Sequence, residues 1–139
     1  MKILNTKPPI YDSCCATFKV NPEITVFTYG DTLYNPAGIN PLADHLLVHE
    51  GVHAKQQNHN DKDAALWWGK YLRDPIFRLD QEARAYGAQY AFICKTVKDR
   101  NLRLRILLDI ARILSGSLYG NCVSKSDAVQ LINKFAGVR

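Results

Sequence analysis

Glutamate is scarce in this chain: Glu23, Glu50 and Glu82 are the only ones in 139 residues. A site that needs a long carboxylate must draw on these three or fall back on the shorter aspartates. Long apolar runs are missing too. No stretch approaches the ~20 residues that cross a bilayer as a helix, so no membrane span is expected. The opening residues, Met1 to Pro9, lack the apolar segment of a signal peptide, so the expected compartment is the cytoplasm. Cysteine is sparse and irregular. Cys14 and Cys15 are adjacent, Cys94 and Cys122 are distant, and none forms a C-x-x-C hook. That pattern excludes a disulfide framework and favours reduced, small core residues. Internal repeats and low-complexity tracts are absent, which excludes solenoids and linker-like chains.

What is present fits one globular domain over residues 1–139. The hydrophobic content is 47%, enough for a real core. The net charge of +5 is mildly basic; it permits association with nucleic acid without demanding it. Arg100, Arg103, Arg105 and Arg112, with Lys95 and Lys98, read as a solvated helical face rather than a nucleic-acid contact.

The most informative stretch is His49-Glu50-Gly51-Val52-His53, of the form H-E-x-x-H. On an α-helix, residues four apart lie about 40° apart around the axis. His49 and His53 therefore stack on one face and can ligate one Zn²⁺. Glu50 points to the same side, where it can reach a water on the metal and act as general base. Asn40 and Pro41 read as N-cap and first helical residue of a helix running to Gln57. Gly51 interrupts good helix formers at a cost of ~1 kcal/mol relative to alanine, and is expected to admit close approach of another element.

Upstream, residues 1–12 read as an extended or irregular lead-in and Cys14 to Val20 as a short strand. Ile24 to Tyr29, β-branched and aromatic, reads as a strand. Gly30-Asp31 reads as a turn and Thr32 to Tyr34 as a returning strand. Downstream, helices are expected over about Asp63–Leu72, Ile76–Lys98 and Leu102–Leu114. A last one starts at Ser124, whose spacing to Asp127 resembles a capping box. The expected class is α+β: a small N-terminal antiparallel sheet followed by a mainly helical domain.

A catalytic zinc usually has three protein ligands and keeps one position for water. Glu82, flanked by small residues on the long helix, is the best-placed third donor. His45, one turn before His49, is the second candidate, and Asp80 stays open because it is so close to Glu82.

With these residues in view, the chain resembles the gluzincins, zincin metallopeptidases whose third ligand is a glutamate on a second helix. The motif followed by Glu82-x-x-Ala85 carries the likeness. Tyr29-Gly30-Asp31, Gln56-Gln57 and Ala85-Tyr86 further resemble small metallopeptidase-like proteins of bacteriophages and bacteria. The specific likeness covers about residues 29 to 90. It implies a zincin-like domain in the cytoplasm of a bacterium or infected host cell, zinc on His49, His53 and Glu82, and Glu50 as the base. One departure is Tyr86, which stands where several such families have an acidic residue or asparagine supporting the site.

Tyr119, in a glycine-flanked segment, is the candidate donor to a developing oxyanion, with Tyr86 and His45 as alternatives. Ile24 to Tyr29 either pairs with an extended substrate or is purely structural. Trp67 and Trp68 either line a pocket or pack in the core. The function read from the sequence is zinc-dependent hydrolysis of peptide bonds in a peptide or protein substrate. The alternatives are a non-catalytic metal-stabilised regulatory module that binds nucleic acid or a protein partner, and a zinc hydrolase acting on cell-wall amides.

Overall fold

The computed structural model describes residues 1–138. Its class is α+β: among the described residues, a three-stranded sheet and six α-helices. The strands are β1 (Lys2–Leu4), β2 (Phe27–Tyr29) and β3 (Thr32–Tyr34). The helices are α1 (Tyr11–Thr17), α2 (Asp44–Gln56), α3 (Asp61–Arg73), α4 (Pro75–Thr96), α5 (Arg100–Leu114) and α6 (Lys125–Ala136). A short 3₁₀ turn, Ser117–Tyr119, joins α5 to the last segment. None of these helices is long and apolar enough to cross a membrane.

The sheet differs from the expected antiparallel one. Its order is β1-β3-β2; β2 pairs antiparallel with β3, but β1 pairs parallel with β3, Ile3 opposite Leu33. The chain leaves β1, crosses through α1 and re-enters through β2, so β1 and β3 point the same way, as a crossover connection requires. Residues 2–4 are thus a strand rather than a loose lead-in. Three residues are too few to show a period.

The expected strand over Cys14 to Val20 is absent: Cys14 to Thr17 end helix α1, and residues 18–20 leave it in irregular backbone. Tyr11, Cys14 and Phe18 face the core at helical spacing, with Cys14 only 2% exposed. The strand expected from Ile24 starts only at Phe27. Asn21 accounts for this: its carbonyl accepts from Ile24 and Thr25 N–H and its side chain accepts from Glu23 N–H, closing a turn over the first half.

Helix α2 begins three residues later than Pro41 suggests. The carbonyl of Ala43 accepts the first helical bonds, from Leu46 and Leu47, and Asp44 supplies a negative charge to the first turn. Upstream, the Asn35 side chain both donates to and accepts from the backbone of Ile39, closing that loop. The other long helices begin on side-chain caps: Asn60 for α3, Asp74 with Pro75 behind it for α4, Asp99 for α5, and Ser124 for α6.

Helix α4 is the hub, packing against α2, α3, α5 and α6. Gly87 lets α6 come close: a Cβ there would lie 2.5 Å from Phe135 Cβ and 2.8 Å from the Phe135 carbonyl carbon. Gly51 does no such thing, since a Cβ built there meets nothing within 4 Å. The expected close approach at Gly51 is therefore absent. Gly51→Ala should raise stability by about 1 kcal/mol, read as a higher midpoint in urea at unchanged slope. A drop in the midpoint would show that the glycine has a role in the packed state.

Candidate metal centre

Helices α2 and α4 pair in opposite senses. His45 and His49 meet Gln89, His53 meets Glu82, and Gln56 meets the carbonyl of Gln81. Antiparallel helices thus bring His49, His53 and Glu82 to one point, all three buried. The donor atoms are evenly spaced. His49 Nε2 lies 3.1 Å and His53 Nε2 3.0 Å from Glu82 Oε1, and the two nitrogens are 3.2 Å apart. Ligands about 2.0–2.1 Å from a tetrahedral ion stand roughly 3.3 Å from one another, close to these spacings.

The partners of the far nitrogens strengthen the fit. Gln56 Nε2 donates to the Gln81 carbonyl at 3.2 Å, so its Oε1 faces His53 Nδ1 at 2.8 Å. A neutral His53 then carries its proton on Nδ1, leaving Nε2 with a bare lone pair for an ion. Gln89 Oε1 faces His49 Nδ1 at 2.9 Å in the same manner. Two lone pairs and a carboxylate aimed at one buried point repel one another unless a cation or proton sits among them. This donor set suits zinc.

Glu82 has its second oxygen tied. The Tyr71 hydroxyl donates to Oε2, leaving Oε1 for the cluster. Glu50 is buried beside the site, and its Oε2 accepts from the Thr28 hydroxyl at 2.8 Å. Among the described residues no hydrogen bond reaches Glu50 Oε1. Thr28 is held in turn from α2 and α3: its carbonyl accepts from Gln57 Nε2 at 3.0 Å and from Trp68 Nε1 at 2.9 Å. Gln57 Oε1 also accepts from Gly30 N–H at the turn, where φ is +63°. The strand β2 is an outer strand of the sheet, as a pairing strand would be. The Thr28 carbonyl, however, is already used twice.

A cleft of about 70 Å³ opens on this cluster, lined by His49, Glu50, His53 and Glu82 and by apolar residues including Phe18, Val26 and Leu118. Tyr119 lines it as well, its hydroxyl 2.7 Å from that of Tyr86. Burial and the nearby Glu82 carboxylate push the Tyr119 hydroxyl well above its ordinary pKa, so it is a neutral donor. The same causes raise Tyr71 and Tyr86. Cys14 also lines the cleft, but burial pushes its thiol up to about 12, which makes it a poor ligand.

The remaining candidates fall elsewhere. His45 is exposed and binds Gln89, outside the cluster. Asp80 pairs with Arg84 at 3.0 Å. Trp67 packs against His53 and Tyr71 in the core, its Nε1 donating to Gln81 Oε1, while Trp68 does both jobs, core and cleft lining. Tyr86 lies edge-on to His49, with ring centroids 4.4 Å apart. In the basic stretch, Arg103 donates to the carbonyls of Val97 and Lys98, and Arg112 pairs with Asp109.

Thr28, Tyr71 and Gln89 were not singled out from the sequence. Only Gln89 left a trace, seven residues after Glu82 and so on the same helical face.

The charges set a pH window for the metal-free protein. Burial alone would lower the pKa of His53, but the Glu82 carboxylate overcomes it and holds it up at about 9 instead of 6.5. Burial raises Glu82, but His53 and the two histidine hydrogen bonds pull it well below its ordinary 4.5. A raised base stabilises fully below its unfolded value and loses that contribution as pH rises through the folded one. A depressed acid stabilises above its unfolded value and loses that contribution as pH falls. With chelator, thermal stability should therefore peak between about pH 5 and 6.5 and decline toward pH 9. Zinc should remove the alkaline decline, because the metal takes the place of the proton. Melting curves from pH 4 to 9, with chelator and with zinc, check this. An apo stability that climbs steadily to pH 9 would contradict the ion pair.

No protein-family model matches the chain, and no curated protein or solved structure matches it.

Proposed function

We propose that the chain is a zinc-dependent peptidase with a gluzincin-like centre in a zincin-like domain. The observation that carries this is the convergence of His49 Nε2, His53 Nε2 and Glu82 Oε1 within 3.0–3.2 Å of one another, with both Nδ1 atoms engaged elsewhere. Zinc held there by His49, His53 and Glu82 would supply a Lewis acid that polarises a carbonyl and makes water at the site more acidic.

The rest falls to the chain itself. Glu50, oriented by Thr28 through Oε2, takes the proton of the attacking water at Oε1 and delivers it to the leaving amine. Tyr119 donates to the oxygen on which charge develops, with Tyr86 holding its hydroxyl from behind. The apolar lining excludes bulk water and strengthens both interactions. A 70 Å³ cleft has room for only a few waters, so a peptide enters by displacing residues 18–26 and the turn that carries Leu118.

A purely structural zinc would have no use for a buried carboxylate beside the cluster with an oxygen left unpaired, which favours catalysis over the partner-binding reading. The test is digestion of an unstructured peptide library by the zinc-loaded protein, with products sequenced by mass spectrometry. New termini that vanish with chelator and return with zinc support a peptidase. An intact library, with turnover of cell-wall amides instead, would move the activity to that substrate class.

A further inference from the structure

We infer that His45, outside the metal cluster, is a positioning residue that selects the ligating tautomer of His49 through Gln89. The inference rests on the metal reading above.

Three contacts form a line. Gln89 Nε2 lies 2.8 Å from His45 Nδ1, Gln89 Oε1 lies 2.9 Å from His49 Nδ1, and His49 Nε2 faces Glu82 at 3.1 Å. A neutral imidazole carries one N–H, and its neighbours decide on which nitrogen. With the Gln89 carbonyl toward His49, Nδ1 holds the proton and Nε2 is free to ligate. With the amide reversed, its NH₂ group meets Nδ1, and the proton moves to Nε2. There it would point at His53 and Glu82 and block the ion.

The two histidines differ in what fixes this choice. At His53 the intermediary is Gln56, whose amide donates to the Gln81 carbonyl, a group that can only accept. At His49 the intermediary is Gln89, and among the described residues the other partner of its side-chain amide is the Nδ1 of His45. In the tautomer that carries its proton on Nε2, His45 turns a bare Nδ1 to the Gln89 amide and does for Gln89 what a backbone carbonyl does for Gln56. His45 is exposed, so its removal leaves the packed helices intact.

The experiment measures zinc dissociation constants by chelator competition, with ¹⁵N shifts of His49 in the metal-free protein as a second readout. His45→Phe removes the acceptor. It should weaken zinc about tenfold, at the lower end of losses seen when a group behind a ligand is removed. The His49 proton should shift from Nδ1 toward Nε2, with the metal-free melting temperature unchanged. His45→Gln offers a carbonyl to Gln89 and should restore much of the loss. Gln89→Glu accepts from Nδ1 in either orientation, so adding His45→Phe to it should cost nothing more.

Wild-type affinity and an unchanged His49 tautomer in His45→Phe would overturn the proposal. So would a full tenfold loss on adding His45→Phe to Gln89→Glu. A wild-type protein that takes up no zinc overturns the metal reading and this proposal together. An intact wild-type site beside an unaffected His45→Phe sinks the proposal alone.

Discussion

Glu50→Gln should lower turnover of a cleavable peptide by about 10²–10⁴, the contribution of a well-placed general base, or roughly 3–5 kcal/mol of barrier. The substitution keeps shape and size. The glutamine carbonyl can still accept from the Thr28 hydroxyl, which now holds Oε2 at 2.8 Å. What is lost is the second carboxylate oxygen of a residue that lines the cleft, and with it the proton acceptor. Zinc affinity should change little, because Glu50 is not among the converging donors. Retained full activity would mean that another group takes the proton. Loss of zinc or of the fold would mean that Glu50 serves the structure, and the metal-stabilised binding module would then be the better reading.

The second large effect is on stability, at Arg78. This guanidinium is 5% exposed, and among the described residues no carboxylate pairs with it. A buried cation without an anion is costly unless dipoles replace the lost water. Here Nε donates to the Tyr71 carbonyl at 2.9 Å, Nη2 to Leu72 at 3.1 Å and Nη1 to Tyr119 at 3.1 Å. The first two are carbonyls at the negative end of α3, which the helix itself leaves unpaired. The ring of Phe18 lies 4.7 Å below the guanidinium carbon and that of Tyr71 5.7 Å.

Arg78→Leu strands these carbonyls and should cost about 3–5 kcal/mol, lowering the melting temperature by roughly 10–15 °C. Arg78→Lys keeps the charge without the fork and should fall between the two. Because the residue also holds the turn that carries Tyr119, the lysine variant should lose turnover as well. A leucine variant within 1 kcal/mol of wild type would show that water reaches this site.

The parts of the molecule that could be read in the sequence are those set by local rules. The H-E-x-x-H spacing put His49 and His53 on one helical face. The scarcity of glutamate made Glu82 the first candidate for a third donor, ahead of His45 and with Asp80 still open, and the structure does bring Glu82 to the histidines. Asp74-Pro75 marked the break before α4, and Ser124 marked the start of α6, where its side chain accepts from Asp127 N–H at 3.1 Å. The parts that could not be read depend on distant partners. Strand β1 exists because β3, thirty residues on, offers it an edge. Helix α1 has only seven residues, too few for a clear period. Thr28 reaches Glu50 across 22 residues and Gln89 reaches His45 across 44, and no spacing rule joins such pairs. The start of α2 was misplaced because Asn40-Pro41 has the composition of a helix start while the first helical bonds go to Ala43.

The most direct measurement is the zinc content of protein made without an affinity tag, by elemental analysis after dialysis against zinc and then against metal-free buffer. One zinc per chain is expected in the wild type and in Glu50→Gln, and little in His53→Ala or Glu82→Ala, where two donors remain. A wild-type content near zero, or full occupancy without Glu82, would contradict the three-donor site.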